Sequence, residues 1–236
     1  MAEAPTTPPE DPRMTEDRLI DAALLHVPFD GWSEATLRAA AADTGVDLAL
    51  ARALYPRGAV DLALAFHRRG DRRMAEALAI ADLGALRFRD KVAEAVRLRL
   101  RVVAPDKEAV RRGVTLFSLP QNVAAGAGAI WGTADAIWTA LGDTSRDYNW
   151  YTKRATLSAV WSSTVLYWLG DDSPDMAATA AFIDRRIGDV MAFESVKGRV
   201  LASPFGKLME KGPMRLLDHV RAPDDWRSRA PGFLKG

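Results

Sequence analysis

The stretch Asp147-Tyr148-Asn149-Trp150-Tyr151-Thr152-Lys153-Arg154 places three aromatic rings and two cations within eight residues. Eight helical residues make just over two turns, so some of these rings and charges must face outward. Large amphipathic rings in a soluble chain build a core, an apolar cavity or a partner surface. The stretch therefore indicates the start of a helix whose outward-facing rings and charges form a cavity or a partner surface. Ordinary core packing is the alternative interpretation.

The tryptophans of the chain are concentrated around this stretch. Five of the seven fall within thirty-eight residues: Trp131, Trp138, Trp150, Trp161 and Trp168. Apolar residues recur at three-and-four spacing on both sides, which is typical of amphipathic helices. From this periodicity we expect that an apolar pocket is lined by Trp131, Ile137, Trp138, Trp161, Val165 and Trp168. The glycines Gly126, Gly128 and Gly132 suit either close helix packing or the wall of such a pocket.

Helical periodicity extends through nearly all of the chain after Arg13, and no segment shows convincing strand alternation. The sequence therefore predicts an all-α protein of about nine to ten helices. The first helix is expected to begin at Thr15. Ser173-Pro174-Asp175 has the order of a helix start: a capping residue, a proline, then an acid.

Composition excludes several classes of protein. The 236 residues carry a formal net charge of +1, so the molecule has no overall field to attract nucleic acid. The absence of cysteine removes disulfides and thiolate chemistry. No apolar run reaches the roughly 18 residues of a transmembrane helix. We find no catalytic constellation, metal-ligand cluster or phosphate loop, and we expect no catalytic residue, metal or cofactor. Residues 1–13 are rich in proline and acids, which predicts a disordered leader rather than a signal peptide.

Two segments are basic. The run His67 to Arg73 is interpreted as a solvated helix face in which Asp71 and Glu76 are internal partners, with an anion-binding patch as the alternative. Residues 196–221 are basic and amphipathic and predict a membrane-surface helix, with a last helix docked on the core as the alternative. The membrane-binding candidates in this segment are Phe205, Leu208, Met209, Leu216, Leu217, Lys207, Lys211 and Arg215.

The N-terminal third has helix-turn-helix spacing, with Gly31-Trp32, Gly45-Val46 and Tyr55 as its landmarks. This arrangement resembles the DNA-binding region of TetR-family regulators. The expected third helix, Asp47 to Leu54, offers mainly Leu and Ala where base and phosphate contacts are needed, and Arg52 is its single cation. Binding to nucleic acid is therefore not expected.

A second resemblance covers about residues 15 to 200. Its motif residues run from Gly142 to Arg154 and continue with Leu157, Asp172 to Asp175, Phe182 and Arg185-Arg186-Ile187, and Tyr55-Pro56-Arg57-Gly58 also matches. These residues closely resemble the COQ-nine family, the lipid-binding accessory proteins of ubiquinone biosynthesis.

The resemblance implies a TetR-like helical bundle that has lost DNA recognition and binds isoprenoid quinone intermediates or another lipid. It implies a surface patch that contacts the demethoxyubiquinone hydroxylase, with the partner-binding candidates Asp147, Trp150, Tyr151, Lys153 and Arg154. It also implies a membrane-surface helix, a homodimer and a bacterial cytoplasmic location at the inner membrane. Two prolines interrupt the C-terminal segment of this chain and bring the length of its membrane helix into question.

These expectations divide the chain into a leader (1–13), a helix-turn-helix-like unit (14–57), a lipid-binding domain (58–195), the basic segment (196–221) and a disordered tail (222–236). The function they favour is non-enzymatic presentation of quinone intermediates to the hydroxylase. A TetR-type repressor with an apolar effector is the alternative. An enzyme has little support in the sequence.

Overall fold

A computed structural model of the protein describes the backbone of residues 11–202 and 221–222. It describes side chains for residues 11–190 and 221–222. Within these ranges the regular structure is entirely helical, as the periodicity predicts. The nine α-helices are α1 (Pro12–Asp30), α2 (Glu34–Thr44), α3 (Leu48–Leu54), α4 (Ala59–Ile80), α5 (Phe88–Val103), α6 (Lys107–Ser118), α7 (Val123–Ala140), α8 (Tyr148–Leu169) and α9 (Ala177–Ala202). Short 3₁₀ turns at Ala104–Asp106 and Pro174–Met176 precede α6 and α9.

The helix starts follow local capping chemistry. Asp47 accepts hydrogen bonds from the amides of Ala49 and Leu50 and so begins α3, as expected. The expected start of α1 at Thr15 is wrong. Asp11 accepts a hydrogen bond from the Arg13 amide, and Pro12 occupies the first helical position, where its missing N–H has no cost.

The start of α9 also differs from its prediction. Pro174–Met176 forms a 3₁₀ turn in which Asp175 has a φ of 51°, so the α-helix begins only at Ala177. Ser173 does act as a cap, and its hydroxyl accepts a hydrogen bond from the Ala178 amide. Asp171 accepts hydrogen bonds from the amide and hydroxyl of Thr179, and bonds from Ser173 and Thr179 hold the pKa of its carboxyl well below the ordinary value.

The chain forms two compact units. The first contains α1–α3, the part of α4 up to Arg69, and residues Asp106–Asn122 with α6. Its helices pack around Leu19, Ile20, Leu37 and other fully buried apolar side chains. Trp32 lies 5.4 Å from the ring of Phe66 and donates a hydrogen bond to the Ala109 carbonyl at 2.9 Å. This contact ties the turn after α1 to α6.

The second unit contains the remainder of α4 from Gly70, together with α5, α7, α8 and α9. Helix α8 packs against both α7 and α9, and α5 packs against α7 and α9. The buried face of α8 carries Trp150, Leu157, Trp161 and Trp168. The tryptophan-rich segments of the sequence therefore form the core of one unit.

The expectation of a solvated face over His67 to Arg73 is wrong for two of its residues. Arg69 is 3% exposed and lies 2.6 Å from an Asp21 carboxylate oxygen in the first unit. In the second unit Asp71 accepts hydrogen bonds from Arg99 at 2.7 Å and from the Thr133 hydroxyl at 2.8 Å. Arg69 and Asp71, two residues apart, thus contact different helices, because helical rotation points them in different directions.

Gly70 permits the Arg99 guanidinium to lie directly against α4. A β-carbon at position 70 would stand 2.5 Å from an Arg99 Nη atom, far inside van der Waals contact. This buried guanidinium also lies 5.3 Å from the centre of the Trp161 ring. Any larger residue at this position would therefore require the Arg99 guanidinium, which Asp71 holds, to shift.

Candidate functional site

The site lies where α7, the loop after it and the first two turns of α8 meet. Asp147 begins α8 by accepting a hydrogen bond from the Asn149 amide at 3.0 Å. Its second carboxylate oxygen accepts one from the Asn149 side-chain amide at 2.9 Å. Asp147 is exposed, so its charge faces solvent while its geometry sets the direction of the helix.

An ion cluster holds the start of α8 against α7, and it is formed by the buried side chains of Asp135, Asp143 and Arg154 and the partly exposed side chain of Lys153. Arg154 is 3% exposed and donates from Nε to Asp135 at 2.7 Å and from an Nη atom to Asp143 at 3.1 Å. Lys153 donates to the other Asp143 oxygen at 2.8 Å. Two cations thus share two carboxylates, and each carboxylate is only about 5% exposed.

Asp143 is strongly biased toward its charged form. Burial by itself would raise the pKa of this carboxyl. Hydrogen bonds from Lys153, Ser145 and Arg154 outweigh burial and hold its pKa down at about 2. Asp143 is therefore held in its charged form at neutral pH, where it pairs with Lys153 and Arg154, and we call this group of ion pairs the clamp.

Above the clamp lies an aromatic stack formed by Trp131, Trp150 and Tyr151. The Trp131 and Trp150 rings are 5.8 Å apart, and the edge of Tyr151 meets Trp150 at 4.8 Å in a T-shaped contact. The Arg154 guanidinium lies 4.1 Å from the Trp150 ring centre. Such cation–π and edge-to-face contacts fix ring orientation as well as adding stability.

The Tyr151 hydroxyl contacts a remote part of the chain. It donates a hydrogen bond to the Arg221 carbonyl at 3.2 Å. The next amide, that of Ala222, donates to the Arg146 carbonyl at 2.9 Å. Arg221, the last residue of the predicted membrane segment, and Ala222 after it are thus held at the start of α8.

The structure places the five partner-binding candidates in two layers. Asp147 is exposed, and Tyr151 and Lys153 are partly exposed. Trp150 and Arg154 are buried at 7% and 3% exposure. Their accessible surface is accordingly that of Asp147, Tyr151 and Lys153, with Trp150 and Arg154 beneath.

The lipid-pocket candidates lie in the second unit. Ile137, Trp138, Trp161, Val165 and Trp168 are buried, and Trp131 is partly exposed. Trp138 stacks on Phe88 at 5.6 Å and donates a hydrogen bond to the Lys153 carbonyl at 3.1 Å. One of these rings therefore links the candidate pocket to the clamp. That these residues line a pocket stays a prediction.

Sequence reasoning missed the buried charges beside these rings, notably Asp135 and Arg99. A signal was present. Asp135 stands four residues after Trp131 and three before Trp138, so it shares their helical face. Arg99 directly precedes Leu100 of the α5 apolar stripe, and its 2% exposure shows that it belongs to the core.

The membrane-binding candidates Phe205, Leu208, Met209, Leu216, Leu217, Lys207, Lys211 and Arg215 lie outside the described residues. Among the helices that are described, none combines the length and apolarity needed to cross a membrane. The same part of the chain contains no group of three or more acidic or histidine side chains arranged to hold a metal.

The expected recognition helix of the helix-turn-helix-like unit, α3, exposes few side chains that could contact DNA. The exposed side chains of α3 include Ala49, Leu50 and Ala53. Arg52 is held by Glu34 at 2.5 Å, an ion pair within the unit. Base readout requires polar side chains that reach groove edges, and this surface has few.

Comparison with known proteins links the site to a family. Residues 123–194, which contain α7, α8 and the clamp, match the COQ9 family model. The human "Ubiquinone biosynthesis protein COQ9, mitochondrial" is 30% identical over 189 residues, which are 77% of this chain and 59% of the human protein. The COQ9-A protein of Xenopus laevis is 30% identical over 196 residues, covering 80% of this chain and 62% of the relative. The chain thus spans about 60% of the length of these relatives.

A solved structure supports the fold prediction. A TetR transcriptional regulator from Nitrosomonas europaea matches with a TM-score of 0.59 at 20% identity, over 75% of this chain and 97% of the regulator. At this identity the likeness concerns the fold, and it confirms the predicted TetR-like helical bundle. The chain is therefore a TetR-fold relative of the COQ9 proteins, as its Asn-Trp-Tyr-Thr-Lys-Arg motif predicts.

Proposed function

We propose that this chain is a non-enzymatic lipid-binding protein of ubiquinone biosynthesis. It binds isoprenoid quinone intermediates at the membrane and presents them to the demethoxyubiquinone hydroxylase. The observation that carries the proposal is the match of residues 123–194 to the COQ9 family, because the candidate pocket helices and the clamped start of α8 both fall inside it.

Lipid binding is consistent with the chemistry of the second unit. Transfer of a polyprenyl tail out of water is worth roughly 0.8 kcal/mol per buried methylene, so such a ligand needs an apolar lining and few polar contacts. The buried faces of α7 and α8 supply Ile137, Val165 and several tryptophans. The Thr164 hydroxyl is completely buried and has no hydrogen-bond partner among the described groups. A polar atom of a ligand headgroup would satisfy it.

Presentation to a partner is supported by rigidity. The ion cluster holds Lys153, the aromatic stack holds Tyr151, and hydrogen bonds from Asn149 hold Asp147 before any partner arrives. Preorganised surface groups lose little conformational entropy on binding. The basic segment 196–221 supplies the membrane contact in this proposal, and a homodimer is expected by the same resemblance.

A repressor remains the second candidate, since the structural neighbour is a transcriptional regulator. The apolar exposed face of α3 and the Arg52–Glu34 pair weigh against it. If the chain were a repressor, its apolar effector would occupy the same helices.

The test is to purify the protein, extract it with organic solvent and identify the co-purified lipid by mass spectrometry. A polyprenylated quinone or phenol is expected. Phospholipid alone would contradict the quinone assignment, and an empty protein that binds its own promoter DNA would favour the repressor.

A matched pair of variants locates the ligand. Val165→Phe enlarges a buried side chain of the candidate pocket and should reduce the co-purified quinone several-fold. Leu166→Phe enlarges the next side chain, which is 61% exposed, and should leave it unchanged. Overpacking costs about 1–3 kcal/mol, so circular dichroism must show that both variants are folded.

A further inference from the structure

The contact between Arg221–Ala222 and the start of α8 has no role in the proposed function as stated above. Both polar groups of one peptide unit are used in it. The Arg221 carbonyl accepts from the Tyr151 hydroxyl, and the Ala222 amide donates to the Arg146 carbonyl. A single backbone unit is therefore held at two points, on either side of the helix start at Asp147.

We propose that Arg221–Ala222 is an intramolecular strap that occupies the Arg146–Tyr151 edge and must leave it before a partner can bind there. The proposal rests on the proposed function for the identity of the partner, but the strap itself rests on the two hydrogen bonds.

The receiving edge is built to hold its shape. Tyr151 is fixed by its edge-on contact with Trp150, and Trp150 is fixed by the Arg154 guanidinium. Arg154 is in turn held by Asp135 and Asp143. A continuous series of contacts thus positions one surface hydroxyl, and in this structure that hydroxyl is used by the chain itself.

The strap is also well placed to be released. Its Tyr151 bond is 3.2 Å long and lies at an exposed position, where water competes for both groups and the net contribution of a neutral hydrogen bond is small. Arg221 is the last of six cations between Lys197 and Arg221, a stretch with two acids. Binding of that segment to an anionic membrane would pull on the residues next to the strap and so favour its release.

Trypsin reports on the strap without any partner, because Arg221–Ala222 is itself a tryptic site. Both sides of the scissile peptide are hydrogen bonded, so cleavage there should be slow. Tyr151→Phe removes the hydroxyl and should accelerate cleavage at Arg221 several-fold. Tyr167→Phe is the matched control on the same helix, since its ring contact with Phe182 does not need the hydroxyl. Equal cleavage rates at Arg221 in the wild type and Tyr151→Phe would overturn the strap.

Capture of purified hydroxylase tests the competition. Ala222→Pro removes the donating amide and should raise capture several-fold above wild type, whereas Ala222→Gly keeps the amide and should change it little. Capture by Ala222→Pro that does not exceed capture by Ala222→Gly would overturn the competition. Absence of capture by all three proteins would contradict the proposed function, and the trypsin comparison would still decide whether the strap exists.

Discussion

The Arg154 guanidinium lies 4.1 Å from the centre of the Trp150 ring and also donates to Asp135 and Asp143. One side chain therefore joins the buried carboxylates of the α7–α8 junction to the aromatic stack at the surface. Trp150 and Arg154, which the sequence suggested as direct partner contacts, are buried in the structure. We therefore expect substitutions of the buried residues to affect stability and substitutions of the exposed residues to affect binding.

Replacing Arg154 with Leu should destabilise the fold severely. The change leaves two buried carboxylates without their shared cation, and breaking a buried pair in this way costs about 3–5 kcal/mol. Urea unfolding followed by circular dichroism measures the loss. Arg146→Leu, at an exposed position eight residues earlier, should change stability by less than about 1 kcal/mol. Similar losses in both variants would contradict the clamp.

The contribution of Asp143 should depend on pH with a defined sign. Its pKa is lowered from 3.8 to about 2 in the folded protein, so its stabilisation is present above about pH 4 and is lost as pH falls toward 2. At neutral pH the shift corresponds to about 2 kcal/mol. Asp143→Asn should therefore be less stable than wild type at pH 7, and the difference should shrink between pH 4 and 2. Asp172→Asn, at an exposed loop position, should show no such convergence in the same urea titrations.

At Asp147 the effect of the charge on partner binding can be tested separately from the role of the side chain as a helix cap. Asparagine caps helices about as well as aspartate, so Asp147→Asn should keep the start of α8 and remove only the charge. We expect the on-rate for hydroxylase binding to fall, and the fall to be smaller at high salt, as for other surface charges at interfaces. Biolayer interferometry at two salt concentrations measures this. An unchanged on-rate at low salt, with Asp172→Asn as the comparison, would remove Asp147 from the interface.

The basic segment should mediate membrane binding through its apolar residues. The double variant Leu208→Asp and Leu217→Asp should abolish co-sedimentation with vesicles of phosphatidylglycerol and phosphatidylcholine. The circular dichroism spectrum should remain that of the wild type. The variant Leu208→Ala and Leu217→Ala should bind with intermediate strength because it loses apolar area without adding charge. Undiminished sedimentation of the aspartate variant would remove the segment from the membrane contact.

The helical class of the protein was predictable because its signal is local. Apolar residues at three-and-four spacing define the buried faces of α7 and α8, and the structure buries Trp161 and Trp168 accordingly. Capping at Asp47 was predictable for the same reason. The start of α1 was not, because Asp11 and Pro12 lie at the end of a proline-rich and acidic stretch whose composition indicates disorder.

The buried charges show where sequence reasoning stops. An arginine or aspartate is ordinarily solvent-exposed, and although its position on an apolar helical face can indicate burial, it does not identify the partner. Arg154 and Asp135 are nineteen residues apart, and Tyr151 and Arg221 are seventy residues apart. No periodicity within one helix encodes such pairs. The candidate surface could therefore be located from its motif, but its two layers could not be distinguished.

The close approach of Arg99 to Gly70 has a consequence for how this chain can change over evolutionary time. While Arg99 is held by Asp71, a side chain at position 70 would push the guanidinium away from that hydrogen bond, so a single substitution there carries a cost that glycine avoids. A shorter residue at position 99 would remove the collision. Substitutions at the two positions are thus expected to occur together during evolution, with residue 99 changing before residue 70.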